Sequence, residues 1–172
     1  MRKIKRTQYK DKAFHLPDNE REAVARGLFH LVADTFAMAI KGYHFHWNVV
    51  SPIFEDLHEM FQEDYEQILG HADLQAERIR ALGFSVPGSL SSFSSESSIM
   101  DQNGLPDWRF MVEEWIRDHV HMAREARQVQ SVAEAAGDQN TLAMLDSVIL
   151  FHDKRAWMFR SVVQMSPDRF PR

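Results

Sequence analysis

The chain has 172 residues, of which 44% are hydrophobic and 26% charged, and this composition predicts one compact globular domain rather than a disordered chain, a collagen or a repeat array. It has no cysteine, which excludes disulfides and cysteine-ligated zinc or iron-sulfur sites, so a bound metal would take His, Asp or Glu ligands. The net charge is -5, and no apolar segment predicts a membrane span or a secretory signal, which favours a cytoplasmic protein.

Residues 1–17 are predicted to form a basic N-terminal arm. Within the first 12 residues one aspartate is opposed by six basic side chains, which gives the arm a charge of +5 and leaves -10 for the rest of the chain. An arm of this kind is typical of non-specific DNA binding, and the alternative is a solvated terminus that only aids solubility. The basic residues are Arg2, Lys3, Lys5, Arg6, Lys10 and Lys12.

Four long segments with apolar residues at helical spacing follow the arm. They are Asp18 to Asn48, Phe54 to Leu82, Pro106 to Ala136 and Asp138 to Met165. Helices of this length predict an all-α four-helix bundle over residues 18–165, followed by a short tail of residues 166–172.

The connection between the second and third helices, residues 83–105, is 23 residues long and contains eight serines. A helix over residues 54–82 would span about 43 Å. A connection of this length can return along that helix, so the sequence predicts a long crossover within one bundle. A floppy serine linker between two helical hairpins is the alternative.

Histidines and carboxylates are concentrated between residues 44 and 77. Asp73 and Glu77 are four residues apart and therefore share one helix face. His58 lies within about 60° of Asp73 around the helix axis but about 22 Å away along it. One metal ion cannot contact both groups within a single chain.

A second copy of the chain removes this obstacle. If two copies of the second helix pack antiparallel about a two-fold axis, His58 of one copy lies beside Asp73 and Glu77 of the other. His46, at the end of the first helix, can join His58 across a short loop. Two imidazoles and two carboxylates suit Fe(II), with Zn(II) as a substitute.

A di-iron site inside one bundle is the competing arrangement. It requires two Glu-x-x-His pairs and two further glutamates. The sequence has one such pair, Glu55 with His58, and its nearest second candidate is Asp118 with His121. The intrachain site is therefore the weaker hypothesis.

The segment from His46 to Gly83 resembles the signature of the Dps family, the DNA protection during starvation proteins or mini-ferritins. The spacings of 12, 15 and 4 residues between His46, His58, Asp73 and Glu77 are those of that family. The resemblance covers roughly residues 20 to 163. The other matching residues are Trp47-Asn48-Val49, Phe54, Leu57, Phe61, Tyr65, Ala76, Arg78-Ile79, Leu82-Gly83, Pro87-Gly88-Ser89, Asp138, Thr141, His152, Lys154 and Ala156-Trp157-Met158.

This resemblance implies a ferritin-like bundle that assembles into a hollow dodecamer. It further implies that the shell oxidises Fe(II), preferably with hydrogen peroxide, stores ferric iron and protects DNA from oxidative damage in the cytoplasm, with nucleoid association as a further expectation. By position, His46, His58, Asp73 and Glu77 would be the ferroxidase ligands, and Trp47 the aromatic residue beside the site.

Two positions depart from the family pattern. Many members carry Asp one turn after the second histidine, where this chain has Gln62, and a neutral amide should hold a second cation less well. At the family's iron-entry pore, near the start of the fourth helix, Asp138 fits, and Asp146 is a substitute.

Two other functions compete with iron oxidation. One is a DNA-compacting structural oligomer with weak or absent ferroxidase activity, suggested by the basic arm. The other is a helical oligomer with a regulatory or lost metal site, for which Gln62 is the only indication.

Overall fold

The computed structural model describes residues 4–7 and 16–164, and in these residues it contains five α-helices. They are α1 (Asp18–Asn48), α2 (Phe54–Ala81), α3 (Leu90–Glu96), α4 (Trp108–Ala136) and α5 (Gln139–Val163). The predicted all-α four-helix bundle with a long crossover is therefore confirmed. The predicted end of the bundle at Met165 and the tail of residues 166–172 lie outside the described residues.

The boundaries of α4 and α5 are set by local capping. The Asp107 side chain accepts hydrogen bonds from the backbone N–H groups of Arg109 and Phe110, at 2.9 and 3.3 Å. Helix α4 ends at Gly137, whose φ of 73° is left-handed and favours glycine. Asp138 then caps α5 by accepting from the backbone N–H of Thr141 at 3.1 Å.

The bundle consists of two helical hairpins with a shared aromatic core. Helix α1 packs mainly against α2, and α4 mainly against α5. Phe61 of α2 lies 5.7 Å from Trp115 of α4 and 5.4 Å from Phe159 of α5 between ring centroids. These side chains are fully buried and join the two hairpins.

The crossover is ordered rather than floppy, because one buried carboxylate on α1 fixes it. Asp34 accepts hydrogen bonds from the Ser97 hydroxyl at 2.8 Å and from the Ser98 backbone N–H and hydroxyl at 2.6 and 2.9 Å. Burial opposes ionisation of Asp34, but hydrogen bonds, above all from His121, outweigh it and lower its pKa. We call this set of contacts the Asp34 clamp.

Residues 4–7 lie against the C-terminal end of α2. The Ser85 N–H donates to the carbonyl oxygen of Lys5 at 2.8 Å, and the Thr7 N–H donates to the carbonyl oxygen of Gly83 at 3.0 Å. This part of the predicted arm is therefore anchored to the bundle.

Two of the six basic arm residues are described. Lys5 is exposed, and Arg6 forms an ion pair with Asp18 at the start of α1. The other four, Arg2, Lys3, Lys10 and Lys12, lie outside the described residues.

Helix α1 is long and apolar enough to cross a membrane by length and composition alone. Of its most apolar 18-residue window, 61% is buried inside the bundle. Packing against the other helices accounts for the hydropathy of α1, so its length and composition are weak evidence for a membrane span.

Candidate metal centre

His46 and His58 face each other across the hairpin between α1 and α2. Their rings are stacked, with centroids 3.7 Å apart. His46 Nδ1 lies 2.8 Å from the carbonyl oxygen of His58, and His58 Nδ1 lies 2.9 Å from the carbonyl oxygen of His46. The predicted joining of the two side chains across the short loop is present.

These reciprocal contacts fix the tautomer of both rings. A carbonyl oxygen can only accept a hydrogen bond, so each Nδ1 must carry the proton. In a neutral imidazole the lone pair is then on Nε2. This is the arrangement of metal-ligating histidines, which donate the N–H of the second nitrogen to a backbone or carboxylate oxygen.

Asp73 and Glu77 lie elsewhere on the subunit. Both are exposed on α2, on one face and one turn apart. They are not brought to His46 and His58: no three His, Asp or Glu side chains among residues 4–7 and 16–164 form a group that could hold a metal ion. A metal centre with these four ligands therefore requires a second subunit.

The other candidate residues have different partners. His44 Nε2 donates to the carbonyl oxygen of Gly104 at 2.8 Å, so it holds the end of the crossover. Asp118 accepts from Lys41 Nζ at 2.7 Å, and His121 Nε2 lies 3.2 Å from Asp34. The Asp118–His121 pair therefore does not form half of an intrachain di-iron site.

Trp47 is 70% exposed and begins a row of aromatic rings. Its ring lies 5.4 Å from that of Tyr43, which stacks on Tyr65 at 3.9 Å. Tyr65 in turn meets the ring of His46 edge-on at 5.5 Å. Trp47 is therefore linked by two tyrosines to the histidine pair.

Gln62 lies one turn after His58 on α2. Its Nε2 donates to Glu66 Oε1 at 2.9 Å. Because a carboxylate only accepts, the amide nitrogen must face Glu66, and the amide oxygen of Gln62 is left available to a cation.

Asp138 does not provide a free carboxylate for an entry pore. It is 3% exposed and accepts from the Arg78 guanidinium at 2.6 Å while capping α5. Its charge is therefore compensated within the subunit. Asp146 is exposed and accepts from Gln130 Nε2 at 2.7 Å.

The sequence analysis missed a chain of buried polar groups in the centre of the bundle. Asp64 Oδ2 accepts from Trp115 Nε1 at 2.7 Å and lies 2.9 Å from His119 Nε2. His119 Nδ1 lies 2.9 Å from His152 Nδ1. Arg155 pairs with the other oxygen of Asp64. We call Asp64, His119 and His152 the buried relay. The only sequence signal was a polar residue on the apolar face of each of three helices.

Comparisons with known proteins agree with this architecture. Residues 26–166 match the ferritin-like domain. The chain is 33% identical over 144 residues to the DNA protection during starvation protein of Brevibacillus brevis, covering 84% of this chain and 97% of the relative. It is 32% identical over 154 residues to an uncharacterized low temperature-induced protein of Nostoc sp., covering 88% of this chain and 86% of the relative.

Solved structures show the same likeness. The crystal structure of a Dps protein from Bacillus brevis superposes with a TM-score of 0.82 at 33% identity, covering 85% of this chain and 98% of the other. DpsC from Streptomyces coelicolor reaches a TM-score of 0.86 at 20% identity, over 95% and 94%, and supports the fold alone. Together with the length of the shared region, these matches show that the chain belongs to the ferritin-like family, in its Dps branch.

Proposed function

We propose that this protein oxidises Fe(II) at sites shared between two subunits and stores the ferric product inside a closed shell of twelve copies. The observation that carries the proposal is the reciprocal hydrogen bonding of His46 and His58. It leaves the Nε2 lone pair of each ring free to bind a metal ion.

The carboxylates of the proposed site come from a second copy. Because Asp73 and Glu77 are about 22 Å and about 28 Å from His58 along α2, an antiparallel pairing of two α2 helices about a two-fold axis brings the two halves together and creates two equivalent sites. Membership of the ferritin-like family, in its Dps branch, supports an oligomeric assembly.

The reaction consumes two Fe(II) ions for each peroxide. Each iron gives up one electron, the O–O bond accepts both electrons and breaks, and the two oxygens leave as hydroxide or water. The resulting Fe(III) hydrolyses, releases protons and enters the mineral. His46 and His58 hold iron through neutral nitrogen, and the carboxylates favour the higher charge of the product.

A second iron binds more weakly than the first in this proposal. The amide oxygen of Gln62 replaces a carboxylate one turn after His58, and it brings a dipole rather than a charge. Zn(II) occupies the same donor set as a redox-inert substitute. Trp47, at the end of the row through Tyr43 and Tyr65, would take up oxidising equivalents that escape the site.

Mixed oligomers test the shared site. His58→Ala and Asp73→Ala each remove one half, so each pure oligomer should lose rapid Fe(II) oxidation while remaining assembled. When the two variants are unfolded together and reassembled, some interfaces recover all ligands, and oxidation should partly return. No recovery in verified mixed oligomers would refute the two-chain ligand set. The same stopped-flow traces, started with peroxide or oxygen, identify the preferred oxidant.

We also propose non-specific DNA binding, because a +5 arm is attached to a -10 body in every subunit. Twelve arms would act together, so weak contacts per arm give tight, strongly salt-dependent binding without sequence preference. A cytoplasmic shell of this kind would associate with the nucleoid. The DNA-compacting function with weak oxidation stays the alternative.

The anchoring of residues 4–7 shapes the DNA experiment. Deleting the whole arm would also remove contacts of Lys5 and Thr7 with the end of α2. Replacing four of the six basic residues of the arm with Gln keeps Lys5 and Arg6 and leaves those contacts in place; these four are Arg2, Lys3, Lys10 and Lys12. This variant should lose the low-salt gel shift and keep iron oxidation. An unchanged gel shift would show that these four residues do not carry DNA binding. If the wild-type shell fails to bind DNA even at low salt, the arm is only a solvated terminus.

A further inference from the structure

The buried relay ends in a nitrogen that has no partner. His152 is 1% exposed, and its Nε2 is buried without a hydrogen bond. A second nitrogen of the same kind lies nearby: Nδ1 of His71 on α2 is also buried and unpartnered. The centroids of the two rings are 6.1 Å apart. Buried polar atoms in native proteins nearly always have a partner, so this pair requires an explanation.

The tautomers follow from the relay itself. Asp64 is ion-paired with Arg155 and can only accept, so the proton of His119 is on Nε2 and its Nδ1 carries the lone pair. The hydrogen bond between the two Nδ1 atoms must then be donated by His152. Nε2 of His152 is therefore left with a lone pair. Burial lowers the pKa of His119 and lowers that of His152 well below its usual value, which keeps both rings neutral.

This chain of donors resembles the support that proteins give to a metal ligand. The ring N–H of a metal-ligating histidine usually donates a hydrogen bond to a carboxylate or carbonyl oxygen. This bond fixes the ring and raises the basicity of the other ring nitrogen, which binds the metal. Here the Nδ1–H of His152 donates a hydrogen bond to His119 Nδ1, and the Nε2–H of His119 donates to Asp64. Trp115 and Arg155 hold the carboxylate.

The surroundings restrict which ion could bind. The ring of Phe151 packs edge-on against His71 at 4.9 Å and against His152 at 5.1 Å. No third His, Asp or Glu joins the two imidazoles among residues 4–7 and 16–164 to complete a metal-ligating group. Zinc and ferrous iron need more ligands than this, and a divalent charge is costly to bury in apolar surroundings. A soft monovalent ion can be held by two nitrogen ligands, and its single charge costs less to bury than a divalent charge.

We propose that His71 and His152 form a two-coordinate site for Cu(I) in the interior of the bundle, separate from the iron site. Two metal–nitrogen bonds of about 2.0 Å, with roughly 1.1 Å from each nitrogen to its ring centre, separate two imidazole centroids by about 6 Å. The observed centroid separation of 6.1 Å leaves room for one such ion between the two rings. His71 is partly exposed and gives the ion a route from the surface of α2.

The test is an anaerobic Cu(I) titration of the assembled protein in competition with a chromogenic Cu(I) chelator. The parent protein carries His58→Ala, so that copper cannot be retained at the proposed iron site. His71→Leu in that background should weaken Cu(I) binding by about 100-fold or more. The matched control is His30→Leu, the same change at another partly buried histidine, and it should retain the parent affinity.

Two further readouts keep the proposal falsifiable if a variant is poorly folded. X-ray absorption of the loaded parent should show two nitrogen neighbours, and Cu(I) should raise the melting temperature of the parent but not of His71→Leu. Retention of copper with sulfur neighbours would assign it to methionines and overturn the proposal. Equal affinities of the parent and His71→Leu, or no retention by either, would do the same.

Discussion

His46 and His58 exchange hydrogen bonds, because the Nδ1 of each ring donates to the carbonyl oxygen of the other residue. The exchange ties the last turn of α1 to the first turns of α2 and fixes both imidazole rings with the same contacts. Replacing either histidine therefore removes a proposed ligand and also leaves the carbonyl oxygen of the other histidine without this donor.

The first prediction compares two histidines that are close in sequence and differ in role. His58→Ala should lower the rate of Fe(II) oxidation by at least about 100-fold, because it removes a proposed ligand. His44→Ala should leave the rate within about two-fold, because His44 contacts the carbonyl oxygen of Gly104 rather than the site. Stopped-flow absorbance in the near ultraviolet measures both, and equal losses would remove the distinction.

A second prediction concerns the Asp34 clamp. Asp34→Ala removes the charged acceptor of three hydrogen bonds, from the Ser97 hydroxyl and from the Ser98 backbone N–H and hydroxyl. We therefore expect the free energy of unfolding to fall by about 3 kcal/mol. Hydrogen exchange at residues 97–99 should accelerate more than exchange in α5. A uniform acceleration would mean that Asp34 stabilises the bundle without fixing the crossover.

The third prediction is a pH dependence. Burial raises the pKa of Asp118 to about 6, although Lys41 opposes the shift. Because the pKa of Asp118 is higher in the folded than in the unfolded protein, protonation of this carboxyl stabilises the fold. The stabilisation is complete below the unfolded-state pKa of about 3.9 and is lost as the pH rises through 6. Relative to Asp118→Asn, the wild-type protein should therefore be more stable at pH 5 than at pH 7 by about 1 kcal/mol. Urea unfolding at the two pH values measures this, and a difference of opposite sign would contradict it.

The fourth prediction tests the close packing of α1. A Cβ at Gly42 would lie 2.8 Å from a ring carbon of Trp115 and 3.0 Å from Cβ of Tyr65. Gly42→Ala should therefore cost about 1–3 kcal/mol of stability. Gly88→Ala is the control, because a Cβ there meets nothing within 4 Å. Thermal unfolding of both variants should separate them, and similar melting temperatures would show that the core adjusts.

The fifth prediction uses a glycine on the face of α2 that the proposed dimer covers. A Cβ at Gly70 meets nothing within its own subunit. In an isolated helix Ala would be more stable than Gly by up to about 1 kcal/mol. If a second α2 packs there, Gly70→Ala should instead weaken subunit association, which sedimentation at low protein concentration detects. A stabilised, fully assembled oligomer would argue against that packing.

The four long helices could be predicted from the periodic spacing of apolar residues and from the residues that cap helices. Apolar spacing predicted four helices to within a few residues, and Gly137 marked the end of α4 because its left-handed φ favours glycine. Helix α3 was missed because its serines have low helix propensity and the helix depends on the Ser89 cap and on packing against α1.

The candidate site was predictable in part for the same reason. His46 and His58 lie on either side of a short loop, so their meeting follows from local geometry. His119 and His152 are 33 residues apart on different helices, and only tertiary packing aligns them with Asp64. A single sequence cannot identify such a contact, because it shows that a residue is polar but not whether the fold buries it.

The Asp34 clamp has a consequence for assembly. Two helical hairpins joined by a long connection can exchange between neighbouring chains, giving domain-swapped dimers that would compete with the proposed closed shell. By holding residues 97–99 on α1 of the same chain, Asp34 opposes the exchange of α4 and α5 between chains. The clamp therefore favours a self-contained bundle as the unit that assembles.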